Sequence, residues 1–267
     1  MKDSPLVSVV VPTFNSERFL EDCLRSVNGQ TFGDIEVIVV DNYSTDKTRE
    51  IAEKFGVSVV LFRGIRSRAR NVGAGLAEGE FVLSVDSDME LTPNVVSECV
   101  AKAENGFDAV IIPELSVGEG FWADCKALEK VCYIGDDSIE AARFFKRSVF
   151  ETITGYDEGL VFGEDWDLNQ RIRKAGFRIG RTNVFIRHIE GRMSLHKTLP
   201  KKYLYGKTLK YYQQKHPFET KQQLVLIRPA FVKNWRKLAE DPIHALGMFL
   251  MKTCEFALGW LGSKCEK

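Results

Sequence analysis

No Cys-x-x-Cys pair occurs in the 267 residues, and the six cysteines (Cys23, Cys99, Cys125, Cys132, Cys254, Cys265) are scattered without metal-finger spacing. In a chain this long, such a scatter predicts reduced thiols in a cytosolic compartment and argues against a disulfide framework. Charge of one sign is not in excess either, since 37 Lys+Arg face 37 Asp+Glu. Nothing in that balance favours nucleic acid as a partner. Prolines number only 8, and no repeat, low-complexity tract or linker-like run interrupts the sequence, so the chain is expected to fold nearly throughout. The opening M-K-D-S-P-L leads directly into a strand pattern, without the apolar region and cleavage site of a signal peptide. A cytoplasmic protein is the expectation. A G-x-G-x-x-G after the first strand is also missing, which weighs against a dinucleotide oxidoreductase.

The sequence is rich in buried-strand patterns that stop at polar groups. Residues 7–14 (V-S-V-V-V-P-T-F) form a nearly continuous β-branched run, as a strand covered on both faces requires. Asn15 or Ser16 could cap the following helix, whose Phe19, Leu20, Cys23, Leu24 and Val27 share one face. Strands over 35–40 and 57–62 and helices ending near Phe55 and Ala77 continue the alternation. Residues 81–88 (F-V-L-S-V-D-S-D) are an apolar run that ends in Asp86 and Asp88 around Ser87. This order predicts an α/β fold with a mostly parallel sheet flanked by helices.

In such sheets, ligands bind outside the carboxyl ends of the strands. Asn15, Asp41, Asp86 and Asp88 all fall at those ends. Unpaired acids cannot be buried cheaply, so Asp86 and Asp88 either form a solvated turn or hold a divalent cation against a diphosphate. Arg66, Arg68 and Arg70 head a helix, where guanidinium forks suit phosphates or a solvated basic turn. Gly73 and Gly75 fall inside that helix and predict close packing rather than a phosphate loop.

The second half reads as helix from Thr92-Pro93 to Glu104, strand over 108–115, helix over 122–133, strand over 141–145 and a short helix over 147–152. A helix then opens at Gly163-Glu164-Asp165-Trp166-Asp167 and ends before Gly176. Acids in a first turn are favoured by the helix dipole. A carboxylate beside an aromatic platform is also how a sugar hydroxyl is bound and deprotonated. A strand over 177–186 leads to His188, either a packing residue or a third metal ligand. From Arg187 to Lys215 eight Lys/Arg accompany one acid, Glu190, with tyrosines interleaved. That stretch suits a solvated face, phosphates or an anionic membrane. Residues 243–262 are mostly apolar, with His244, Lys252, Glu255 and Gly259 in one polar stripe. Charges near the middle argue against a spanning helix and leave burial or an interfacial position.

Taken together, V-V-V-P-T-F-N (9–15), V-V-D-N (39–42) with Ser44-Thr45-Asp46, Arg70-Asn71-Val72-Gly73, V-D-S-D (85–88) and Gly163-Glu164-Asp165 resemble the family 2 glycosyltransferases, inverting enzymes of the GT-A fold. The resemblance spans roughly residues 5–195. It implies a GT-A domain over 1–200, with a nucleotide-binding part at 1–90 and an acceptor part at 91–200. A helical extension over 201–267, buried against the main domain or lying in a membrane interface, completes the expected organisation. Pro12, Thr13, Asn15 and Asp41 would line the nucleotide pocket, with Arg70 and Ser87 near the donor. Asp86 would contact ribose and metal, while Asp88 and His188 would complete a Mn²⁺ or Mg²⁺ site. Asp165 would be the general base, and Glu164 would help hold a sugar. No Gln-x-x-Arg-Trp of processive synthases is present, so single addition is expected. The resemblance implies a nucleotide-sugar donor and a glycan or other acceptor, and the basic, tyrosine-rich stretch with the amphipathic tail favours a lipid-linked acceptor and contact with an anionic membrane face. Two rivals differ in class. A sugar-1-phosphate nucleotidyltransferase would want a glycine-rich basic loop where Pro-Thr-Phe-Asn stands. A non-catalytic nucleotide-sugar or glycan-binding domain would not need Asp86, Asp88, Asp165 and His188 together.

Overall fold

The computed structural model describes residues 6–264; Cys265 and the N-terminal residues 1–5 lie outside them. The first stretch of the chain runs β1 (Val7–Thr13), α1 (Leu20–Asn28), β2 (Ile35–Asp41), α2 (Thr48–Lys54), β3 (Ser58–Leu61), α3 (Arg66–Leu76), β4 (Phe81–Ser84) and β5 (Met89–Leu91). The middle runs α4 (Val95–Glu104), β6 (Ala109–Ile111), β7 (Glu114–Glu119), α5 (Phe121–Tyr133), β8 (Ala142–Lys146), α6 (Arg147–Thr152) and α7 (Glu164–Lys174). It ends with β9 (Ile179–Arg181), β10 (Ile186–Arg192), α8 (Leu195–Lys215), α9 (Pro217–Gln223), α10 (Pro229–Lys233), α11 (Trp235–Glu240) and α12 (Pro242–Lys264). Two compact units interleave along the sequence: residues 6–113, 141–158 and 168–188 form one, and 114–140, 159–167 and 189–264 the other. These units cut across the expected sequence segments 1–200 and 201–267.

The first unit carries a seven-stranded sheet in the order β3-β2-β1-β4-β8-β6-β9. β3, β2, β1 and β4 are parallel; β8 is antiparallel to both of its neighbours. This is the mostly parallel α/β sheet the sequence predicts. Because side chains alternate along a strand, Val9, Val11, Val39 and Leu83 enter one core while Val10, Ile38, Val40 and Val82 enter the other. Helices α1 and α4 cover the first face and α3, α6 and α7 the second. Gly73 is the close-packing glycine of α3: a Cβ there would stand 2.3 Å from Val10 Cγ1.

Two expected strands are each divided. Residues 108–115 become β6 and β7, and residues 177–186 become β9 and β10. His188 therefore sits inside a strand, opposite Met89 of β5 in an antiparallel pair. The α1 cap differs as well. Phe19 occupies the N-cap position without a side-chain bond, because Asn15 and Ser16 are engaged elsewhere, as described below.

In the second unit, a core of Cys125, Cys132, Tyr133, Phe231, Met248 and Met251 joins α5, α10 and α12. Helices α8 and α12 meet backbone to backbone. A Cβ on Gly206 would lie 2.1 Å from the Gly259 carbonyl, and one on Gly262 would lie 2.0 Å from that of Tyr203. The polar stripe of α12 is the inward one. Lys252 and Glu255 are buried, with Lys252 Nζ 2.7 Å from Glu129 and 2.9 Å from Glu255. Among the described residues no helix is long and apolar enough to cross a membrane.

Candidate active site

In the first unit, the carboxyl ends of β1, β2 and β4 bring a polar set together. Pro12 and Thr13 close β1 in register with Val40 and Asp41 of β2. Asp41 is fully buried and accepts from Thr13 Oγ1 at 2.9 Å, Ser44 Oγ at 2.5 Å and Ser44 N at 2.8 Å. A carboxylate has about four acceptor sites, so three are already used and little remains for a nucleotide base. Asn15 follows with φ of 49°, a left-handed conformation that asparagine tolerates. Its N–H donates to Ser44 Oγ at 2.8 Å, and its Oδ1 accepts from Thr45 N at 2.9 Å. Ser16 Oγ lies 2.8 Å from Ser87 Oγ. The turns after β1, β2 and β4 are thus laced together by short side chains, a preformed rim rather than three separate loops.

Asp86 lies under this rim. It is buried, and its Oδ1 accepts from Arg70 Nη2 at 2.7 Å. Arg143 Nη1 stands 3.6 Å and Arg66 Nη1 3.9 Å from its Oδ2. Burial pushes the Asp86 pKa upward, but the guanidiniums of Arg70, Arg66 and Arg143 outweigh it and hold the carboxyl well below the usual range. Arg70, expected beside the nucleotide, is itself buried and stacks over the Tyr156 ring at 5.0 Å. Its place is beneath the site, orienting Asp86, while Arg66 is half exposed. Sequence reasoning overlooked Arg143. The signal was an arginine inside the apolar strand A-R-F-F-K, but its partner lies just past the end of β4, 57 positions earlier (143 − 86).

Asp88 is partly exposed, with its Oδ2 3.3 Å from His188 Nε2. One carboxylate oxygen just before β5 and one imidazole nitrogen within β10 suit Mn²⁺ or Mg²⁺, which keep coordination positions for phosphate oxygens and water. Among the described residues no cluster of three or more His, Cys, Asp or Glu donors gathers for a metal ion. The pair therefore fits an ion that arrives with a diphosphate rather than one caged by protein alone. Asp86, turned to its arginines, is less suited to ligate than Asp88.

Glu164 and Asp165 belong to the second unit, in the first turn of α7. Glu164 is buried and Asp165 half buried. Asp167, the third acid of this turn, is fully buried, with Oδ1 2.7 Å from Lys215 Nζ and 2.8 Å from His216 Nε2. It fastens the turn to the carboxyl end of α8. Trp166 is not an open platform: its Nε1 donates to the Ile139 carbonyl at 2.7 Å, and Phe162 and Tyr212 pack on its ring.

The fold has counterparts among solved structures. A mannosyltransferase from Pyrobaculum calidifontis, solved with GDP-Man and Mn²⁺, superposes with a TM-score of 0.70 at 17% identity, covering 98% of this chain and 88% of that one. Staphylococcus aureus TarS 1–349 with UDP-GlcNAc gives 0.57 at 19% identity, covering 97% of this chain and 90% of that one. Both likenesses establish the GT-A fold. Among curated proteins, the Campylobacter jejuni GalNAc(5)-diNAcBac-PP-undecaprenol beta-1,3-glucosyltransferase is 31% identical over 168 residues, 55% of this chain and 53% of its own. Streptococcus pneumoniae glycosyltransferase GlyG is 33% identical over 116 residues, 41% of this chain and 38% of its own. The chain thus spans about a third to a half of the length of such relatives. Residues 8–154, more than half of the 267, match the family model described as Glycosyl transferase family 2. With the matching strand-end residues and fold, the chain belongs to glycosyl transferase family 2.

Proposed function

We propose that the protein is an inverting glycosyltransferase. It would move a sugar from a uridine- or guanosine-diphosphate sugar to an acceptor hydroxyl or phosphate by single addition. The observation that carries this reading is the set at the carboxyl ends of β1, β2 and β4, with Asp86 on its arginines and Asp88 beside His188. Pro12, Thr13, Asn15 and Asp41 shape the nucleotide pocket; Ser87 and Asp86 face the donor, with Arg70 holding Asp86 in place. Asp88 and His188 would hold the divalent ion, and the imidazole would tilt the preference toward Mn²⁺. When bound, that ion neutralises charge developing on the departing diphosphate. Asp165 accepts the proton of the acceptor hydroxyl, and Glu164 helps hold a sugar. The acceptor oxygen bonds to the anomeric carbon as the bond to the diphosphate breaks, so the configuration inverts.

The acceptor in this reading is lipid-linked, and the protein works at the cytoplasmic face of a membrane. Support comes from the basic, tyrosine-rich α8 and from a relative named for a PP-undecaprenol glycan.

A melting panel with UDP, GDP, CDP and dTDP, each with and without Mn²⁺, tests the donor site. A ligand of the native state at a hundredfold excess over Kd adds about 2.7 kcal/mol, a rise of several degrees. One nucleotide should stabilise the wild type, require Mn²⁺ and fail with Asp88→Ala. Silence from all four nucleotides would sink the donor assignment and favour a non-catalytic module. Incorporation of a sugar phosphate into a nucleotide, instead of sugar transfer, would favour the nucleotidyltransferase.

A further inference from the structure

Helix α12 carries apolar side chains on its outward face as well as its inward one. On an ordinary surface helix the apolar stripe faces the core. Here Met248 and Met251 do enter the core, but the inward face also carries Lys252 and Glu255, with Lys252 bonded to both Glu255 and Glu129 of α5, and a second apolar stripe is left outside. Ile243, Leu246 and Leu250 remain 69%, 74% and 54% exposed, and Leu261 continues the same stripe. Their spacing of three, four and eleven residues keeps them on one side of a 23-residue helix, about 34 Å long at 1.5 Å per residue.

We infer that this outward face of α12 is a docking surface for an anionic lipid bilayer, on which the helix lies flat. Three observations select a bilayer over a second copy of the chain. First, the stripe is long and unbroken by any exposed acid, since the only acid of α12, Glu255, is buried. Second, exposed charges on α12 and the helices α8, α10 and α11 are mainly basic, with Lys197, Lys201, Lys207, Lys233, Arg236 and Lys264 set against Glu240, while the acids Asp124 and Asp241 stand beside His244 at the first turn. That balance attracts anionic headgroups. Third, Trp235 and Trp260 are 61% and 59% exposed, and tryptophan suits the level between headgroups and acyl chains. Insertion across the bilayer is ruled out by the ion pairs that anchor Lys252 and Glu255 at the helix middle. An amphipathic face with basic flanks instead enters only the interface.

This inference rests on the lipid-linked acceptor reading, yet it can be tested without any acceptor. The full chain is floated with vesicles of phosphatidylcholine alone and with phosphatidylglycerol added. The double variant Leu246→Glu, Leu250→Glu is run beside it; both side chains are more than half exposed, so its melting temperature should match the wild type. The wild type should float with the phosphatidylglycerol vesicles and less at high salt, and the variant should bind at least about tenfold more weakly. Wild-type protein left at the bottom of the gradient, or a variant that floats equally well, would overturn the inference. So would a wild-type dimer that the variant splits into monomers while neither binds vesicles, because the face would then belong to a second copy. The nucleotide-dependent melting shift, read on the same samples, separates the two proposals: lost flotation with a retained shift removes the docking surface and leaves the transferase.

Discussion

Asp86 in the first unit and Glu129 in the second are both buried carboxylates, and both lie well below the usual range because neighbouring cations outweigh desolvation. Their surroundings differ. Glu129 sits in a closed set of side chains: Lys126 Nζ at 2.9 Å, Lys252 Nζ at 2.7 Å and the Tyr133 hydroxyl at 2.8 Å, with Lys252 shared by Glu255. Asp86 meets guanidiniums, of which Arg66 is half exposed, beneath a rim of short polar side chains at strand ends. The same electrostatic problem has a structural answer in one place and a ligand-facing answer in the other. A compact ammonium is well suited to closing a cluster, whereas a planar fork can serve a protein carboxylate and still present a face to phosphate. A perturbed acid thus points to function through what surrounds it.

Substitutions can break this contrast. The largest effect is expected from Asp88→Ala, which should lower turnover by more than about 10³ while leaving the melting temperature nearly unchanged; steady-state kinetics beside thermal unfolding would check both. Asp165→Asn should lower kcat by about 10²–10⁴ with nucleotide affinity intact, and full turnover in that variant would remove Asp165 from the role of base. At the closed cluster the pattern should reverse. Lys252→Met removes the cation that Glu129 and Glu255 share and leaves them to Lys126 and Lys202, and breaking such a buried pair costs about 3–5 kcal/mol. The melting temperature should then fall by about 10 °C, with kcat per folded molecule preserved. The smallest effect concerns pH. Burial raises the Glu255 pKa, but Lys126, Lys202 and Lys252 bring it from 4.5 to about 2. Its contribution is therefore complete above pH 4.5 and is lost as pH falls toward 2. Below pH 4.5 the melting temperature of the wild type should fall more steeply than that of Glu255→Gln.

The first-unit elements were legible because the signals are local. The β-branched run at 7–14 ends within one residue of β1, and the Leu20, Cys23, Leu24, Val27 face is the buried face of α1. The divided strands were not legible, since an apolar run does not say which sheet each half joins. Thr182 Oγ1 bonding the Val184 carbonyl marks the turn where β9 ends, and nothing in the local pattern requires it. Arg143 was hidden because its pairing with Asp86 exists only once β8 inserts beside β4. The stripe on α12 was visible, but periodicity reports that two faces differ, not which one points inward.

Gly206, Gly259 and Gly262 leave no side-chain cushion where α8 crosses α12. Mechanically the two helices form a single beam: neither can roll without driving the other's backbone. The far end of α8 grips Asp167 through Lys215 and His216, on the same helical turn as Asp165. A load on the outer face of α12 therefore reaches the turn that carries the proposed base. Were the outer face of α12 to dock as inferred, its seating would be passed to that turn through these contacts.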